Sequence, residues 1–118
     1  MSIDPESQSE IASVKPLTVD EVITCFRFRW GVSYDLRLLE RGNNLYFQIM
    51  WGYLEQQSFP KTEESYRLEI KEALEIINRI GQSAFVREWI ENVNAKPRIG
   101  KVLSLQLRMD ERLKEFLL

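Results

Sequence analysis

A two-layer α+β domain is what this 118-residue chain predicts, in the order helix, strand, strand, helix, helix, strand, with a short helix after them. Three observations carry the expectation. Apolar stripes at helical spacing begin at capping residues in several places, an alternating stretch folds back on itself at a Gly-Asn pair, and a later run sets leucine at every second position. Two strands alone are marginal, so the third joins the hairpin in a mainly antiparallel three-stranded sheet covered by three helices. Length allows one core. The domain is expected over residues 17–109, after a flexible polar leader over 1–16 and before a short helix or tail over 110–118.

The first helix starts at "TVDE", where the Thr18 hydroxyl and the Glu21 carboxylate suit a capping box. Val19, Val22, Ile23, Phe26 and Trp30 form its stripe, and Gly31 stands where a left-handed residue ends a helix. In "VSYDLRLLERGNNLYFQIMWGYL", Tyr34, Leu36 and Leu38 share one strand face; Leu45, Phe47, Ile49 and Trp51 share one in the partner, which places Trp51 in the core. Gly42 and Asn43 tolerate the positive φ of a tight hairpin turn. Phe59-Pro60 closes the next loop, because proline has no N–H for a ladder. Thr62 caps a helix with the stripe Tyr66, Ile70, Ala73, Leu74, Ile77 and Ile80, ended by Gly81; Ser83 caps a shorter one with Phe85, Val86, Trp89, Ile90 and Val93. Pro97 and Gly100 break the chain before Leu103, Leu105 and Leu107 alternate inward. Asp110, Leu113, Phe116 and Leu117 suggest the terminal helix.

Hydrophobic content of 44% and charged content of 29% are those of an ordinary soluble protein. No apolar run approaches the roughly 18 residues that span a bilayer, and the first residues lack the basic and apolar regions of a secretory signal. One cysteine makes no internal disulfide and fits a reducing compartment, so the expected location is cytoplasmic. There is no histidine. Zinc sites of Cys and His and His-dependent nucleophilic catalysis are thereby excluded within one chain, and no phosphate-binding glycine motif is present. Hence no cofactor, no metal and no enzymatic activity are expected. Glu55, Glu63, Glu64, Glu69 and Glu72 could in principle form an acid–base pair or a Mg²⁺ site, but their spacing reads better as a solvated helix face. Cys25, one turn before Arg29, reads as a small buried hydrophobe rather than a nucleophile.

Two constellations remain. Tyr53, Glu55, Gln56 and Phe59 crowd the loop after the hairpin, where the rings either pin the loop down or meet a partner. Lys96, Arg98 and Lys101 form a basic, proline- and glycine-broken lead into the last strand, with no acidic residue from Lys96 to Arg108. That segment suits an acidic protein surface, guards an edge strand, or binds RNA or single-stranded nucleic acid. Net charge of −2 makes the nucleic-acid reading the weaker one.

"FRWGVSYDLRLLERGNNLYFQIMWGYLEQQSFP" and "AKPRIGKVLSLQL" resemble a small family of unknown function found in cyanobacteria and in plastids of photosynthetic eukaryotes. The likeness runs over residues 19–107. It rests on Trp30, Gly31, Tyr34 and Asp35, on Met50, Trp51 and Tyr53 to Gln56 with Phe59 and Pro60, and on Lys96 to Arg98 with Gly100 and Lys101. The resemblance implies a cyanobacterial cytosol or a plastid stroma and a role beside the photosynthetic machinery; it brings no catalytic residues with it. The expected function is therefore a non-enzymatic protein-binding, assembly or regulatory module. Its candidate contact residues are Tyr53, Glu55, Gln56, Phe59, Lys96, Arg98 and Lys101, with nucleic-acid binding through the basic edge as the alternative. An enzyme using Asp35 or Glu55 with Lys101 would need those groups to converge in a cleft.

Overall fold

A computed structural model describes residues 15–108; most of the leader and the expected terminal helix lie outside the described residues. The elements are α1 (Val19–Trp30), β1 (Tyr34–Arg41), β2 (Asn44–Tyr53), α2 (Glu63–Arg79), α3 (Ser83–Asn92) and β3 (Leu103–Gln106). The strands form one antiparallel sheet in the order β1-β2-β3. The α+β architecture and the element order are those the sequence predicts.

Local chemistry accounts for most boundaries. The Thr18 hydroxyl accepts the Glu21 N–H at 3.1 Å, and Gly31, at φ 81°, donates its N–H to the Arg27 carbonyl at 2.9 Å. Thr62 caps α2 in the same way, accepting from the Ser65 N–H at 3.1 Å. Two expectations about caps change. The Glu21 carboxylate does not fold back on its own helix but takes both Arg87 nitrogens, Nε at 2.5 Å and Nη2 at 3.0 Å, because a two-point guanidinium contact is stronger than one amide bond. Ser83 is not a cap: it is buried as the first residue of α3, and Gln82 precedes the helix.

The core lies between the sheet and the helices. Leu36, Leu45, Phe47, Ile49 and Leu103 come from the sheet, and Leu107 follows β3; Val22, Phe26, Tyr66, Ile70, Ile77, Val86 and Ile90 come from the helices. Trp51 departs from its expected place and is 38% exposed. Pairing runs from Leu36↔Ile49 to Tyr34↔Tyr53, so one residue of β1 spans three of β2 and a bulge carries Trp51 out of the ladder. On the other side, β3 pairs no further than Ile49↔Leu103. Trp51 thus sits where β2 has lost regular neighbours on both sides.

Candidate functional site

Antiparallel pairing brings the end of β2, the start of β1 and the start of β3 to one end of the sheet. Because Gly31 leads from α1 into β1, the last turn of α1 is there too. Both segments singled out in the sequence therefore emerge at the same end of the molecule. Their surroundings differ.

The loop after β2 is tied to the fold. Tyr53 meets Tyr34 edge-on with ring centroids 5.9 Å apart, and Phe59 meets the buried Tyr66 in the same way at 5.9 Å. Both rings are half-buried against the core. The Phe59 ring also lies over Gly52, where an added Cβ would meet it at an ordinary contact distance of 3.7 Å. Glu55 closes a clasp with the buried Ser33, accepting the Ser33 N–H at 2.7 Å and its hydroxyl at 2.8 Å, while Arg27 Nε donates to the Ser33 hydroxyl oxygen at 2.7 Å. Burial opposes ionisation of Glu55, but the Ser33 hydrogen bonds and the nearby Arg27 outweigh it and hold the carboxyl below its ordinary range. Leu54 adds a backbone bond to the Ser33 carbonyl at 3.0 Å. Gln56 is exposed; its carbonyl accepts the Phe59 N–H at 3.0 Å.

The second segment is a tight turn. Arg98 and Lys101 exchange backbone hydrogen bonds at 3.2 and 2.8 Å, and Gly100 between them takes φ 79°, a conformation glycine adopts without strain. Ile99, at the tip, is 91% exposed. Lys96, Arg98 and Lys101 are exposed and have no ion-pair partner among the described residues. Pro97 is buried and roots the turn. At the same end of the fold, Phe28 in the last turn of α1 is 90% exposed. Neither Ile99 nor Phe28 entered the sequence-based candidates, though both had a signal. Ile99 occupies a corner position of the turn, and Phe28 lies off the apolar stripe of α1.

The groups needed for the enzyme reading do not touch. The Asp35 carboxylate binds Lys61 at 2.7 Å and the Leu36 N–H at 3.0 Å, and Lys61 also pairs with Glu69. Glu55 is held by Ser33 and Arg27, and among the described residues Lys101 makes only the backbone bonds of its turn. Cys25 donates its S–H to the Ile90 carbonyl at 3.6 Å, and burial, against the pull of Arg29, pushes its pKa up, away from thiolate chemistry. Among the described residues no three Cys, Asp or Glu side chains are placed to hold a metal ion. Also among them, no helix is long and apolar enough to cross a membrane.

Residues 20–117 match the family described as Domain of unknown function (DUF3067). The chain belongs to that family. The fold is similar to the solution NMR structure of the Alr2454 protein from Nostoc sp. strain PCC 7120, with TM-score 0.76 and 30% identity over 86% of this chain and 98% of that one. No curated protein matches. The expected likeness to a family of unknown function with cyanobacterial members is therefore correct.

Proposed function

We propose that this member of the family is a non-enzymatic docking module that holds an acidic protein surface through the turn from Lys96 to Lys101. The observation that carries the reading is Ile99, an aliphatic side chain left 91% in water at the tip of a hydrogen-bonded turn. Single exposed apolar residues are common, but this one shares its turn with three exposed cations, Lys96, Arg98 and Lys101, that have no ion-pair partner among the described residues. An apolar anchor inside a charged rim is the usual anatomy of a protein contact: the rim steers the approach and the anchor supplies the affinity. Tyr53, Glu55 and Phe59 then serve as the base that fixes this end of the sheet, with Gln56 at its margin. The cyanobacterial source of the similar structure supports a cyanobacterial setting, and a place in the cytosol beside the photosynthetic machinery is part of the proposal.

The test is affinity capture from a cyanobacterial extract with the wild-type chain and with the Arg98→Glu, Lys101→Glu double variant. A partner with an acidic surface is expected on the wild type and lost from the variant; a partner retained by the variant overturns the reading. Trp51, half-exposed at the same end, favours one second reading, nucleic-acid binding by stacking and charge. Saturable, salt-sensitive binding of single-stranded RNA that Trp51→Ala weakens is its signature.

A further inference from the structure

The outer edge of β1 offers a second surface, independent of the turn at Lys96–Lys101. In an antiparallel ladder, the residues whose backbone faces the partner strand alternate with those whose backbone faces away. The two-residue turn closes on Arg41↔Asn44, so Arg37, Leu39 and Arg41 face β2, and Leu36, Leu38 and Glu40 turn their N–H and C=O groups outward. β1 is at the edge of the sheet, with no strand beyond it among the described residues. The fold itself covers the first part of that edge: the Tyr66 hydroxyl donates to the Tyr34 carbonyl at 3.0 Å, and the Leu36 N–H donates to Asp35. Among the described residues nothing covers Leu38 and Glu40 in this way.

Beside this open part lies a groove of about 400 Å³ between β1 and α2. Leu36 and Leu38 line one side, and Ala73 and the 39% exposed Ile76 line the other. Its lining carries three carboxylates against two cations, Lys61 and Arg37. Asp35, Glu69 and Glu72 line it; Lys61 serves the first two, and Glu72 has no ion-pair partner among the described residues. Arg37, also at the rim, donates to Gln48 across the sheet at 2.8 Å. A strand edge flanked by a helix, with apolar walls and a carboxylate that has no ion-pair partner among the described residues, is the arrangement that takes an extended peptide as an added strand.

We propose that the groove between β1 and α2 binds an extended segment of a partner protein that alternates apolar and basic residues. The segment pairs with the backbone of Leu38 and Glu40, sets its apolar side chains against Leu38 and Ile76, and its cation against Glu72. This goes beyond the docking function of the turn and uses none of its residues.

Short peptides alternating valine with lysine, with glutamate or with serine, added to the isotope-labelled full chain, test it. The valine–lysine peptide is expected to slow hydrogen exchange at the Leu38 and Glu40 amides. The same peptide N-methylated on its edge-facing amides should fail. Glu72→Lys, an exposed change that keeps the fold, should weaken the valine–lysine peptide about tenfold and reverse the preference toward valine–glutamate. No protection at Leu38 and Glu40 with any of the peptides overturns the proposal, as does a preference that Glu72→Lys leaves unmoved. So does a peptide-free chain that sediments as a dimer with those amides already protected, which would assign the edge to a second copy. The Arg98→Glu, Lys101→Glu variant should bind the peptide as the wild type does, so the two surfaces succeed or fail separately.

Discussion

The loop from Tyr53 to Phe59 and the turn from Lys96 to Lys101 leave the same end of the sheet and are both rich in polar and bulky side chains, yet only the first is fastened to the body of the protein by ring contacts and side-chain hydrogen bonds. In the first, two rings pack edge-on against buried tyrosines and a carboxylate takes two hydrogen bonds from a buried serine. In the second, Pro97 is buried and two backbone hydrogen bonds shape the turn, but the side chains of Lys96, Arg98, Ile99 and Lys101 stand in water. Composition does not separate them. What separates them is whether the partner groups are supplied by the chain, and a surface whose side chains lack internal partners is the one free to find external ones.

Removing a fastening should cost most. Phe59→Ala deletes a half-buried ring that packs on Tyr66 and over Gly52, and should destabilise the fold by about 2 kcal/mol, read as a lower denaturant midpoint with unchanged slope. A loss near zero would show that the loop is not held by this ring, and the contrast between the two segments would collapse.

Next in size is the clasp. Glu55→Gln keeps the shape but weakens the hydrogen bonds from Ser33 and the attraction of Arg27, for a loss of about 1 kcal/mol at neutral pH in this partly exposed site. The pH dependence has a definite sign. A carboxyl held below its ordinary range in the folded chain contributes its full stabilisation above the unfolded pKa of about 4.3 and loses it as pH falls through the folded value. The gap between wild type and Glu55→Gln should therefore be constant from pH 7 to about pH 5 and close as acid is added. Chemical denaturation at several pH values checks this; a gap that persists well below pH 3 would mean the carboxylate is not the group that matters.

How much of this was legible beforehand follows the range of the interactions. Thr18, Thr62, Gly31 and the Gly42 turn act on neighbours a few residues away, and their roles could be read directly. Three matters lay out of reach for the same reason. Arg87 claims Glu21 from 66 positions along the chain, Ser33 claims Glu55 from 22, and the bulge that turns Trp51 outward exists only in the pairing of two strands. Alternation assigns a face while the register holds; a bulge cancels the assignment at the residues it contains. At the docking end, the cations were visible as a run without acids. The turn at Arg98–Lys101 is itself local, but the exposure of Ile99 depends on what the rest of the fold sets beside that turn, which no local pattern of residues gives.

Gly100→Ala comes third. Nothing lies within 4 Å of the added Cβ, so the whole cost is that of holding a non-glycine residue at φ 79°, about 1 kcal/mol, and it falls on the turn. Local hydrogen exchange at Lys101 should rise more than that of the core. If the core and the turn loosen together, the turn is part of the cooperative unit and the distinction drawn from its contacts is wrong.

The smallest effect on stability is the most informative. Ile99→Ser alters a side chain already 91% in water, so it removes almost no buried area and should leave stability within about 0.5 kcal/mol of wild type. The same change removes the apolar anchor from the cationic turn and should weaken partner capture about tenfold or more, whereas Phe59→Ala, far more damaging to the fold, should weaken capture only as far as it depletes folded protein. Measured on the same samples, stability and capture should thus rank the two variants in opposite orders. If Ile99→Ser lowers stability by more than about 1 kcal/mol, the side chain is packed in solution and its exposure carries no functional meaning. If both quantities stay at wild-type values, the anchor lies elsewhere at this end of the sheet, with Phe28 and Trp51 as the remaining exposed rings.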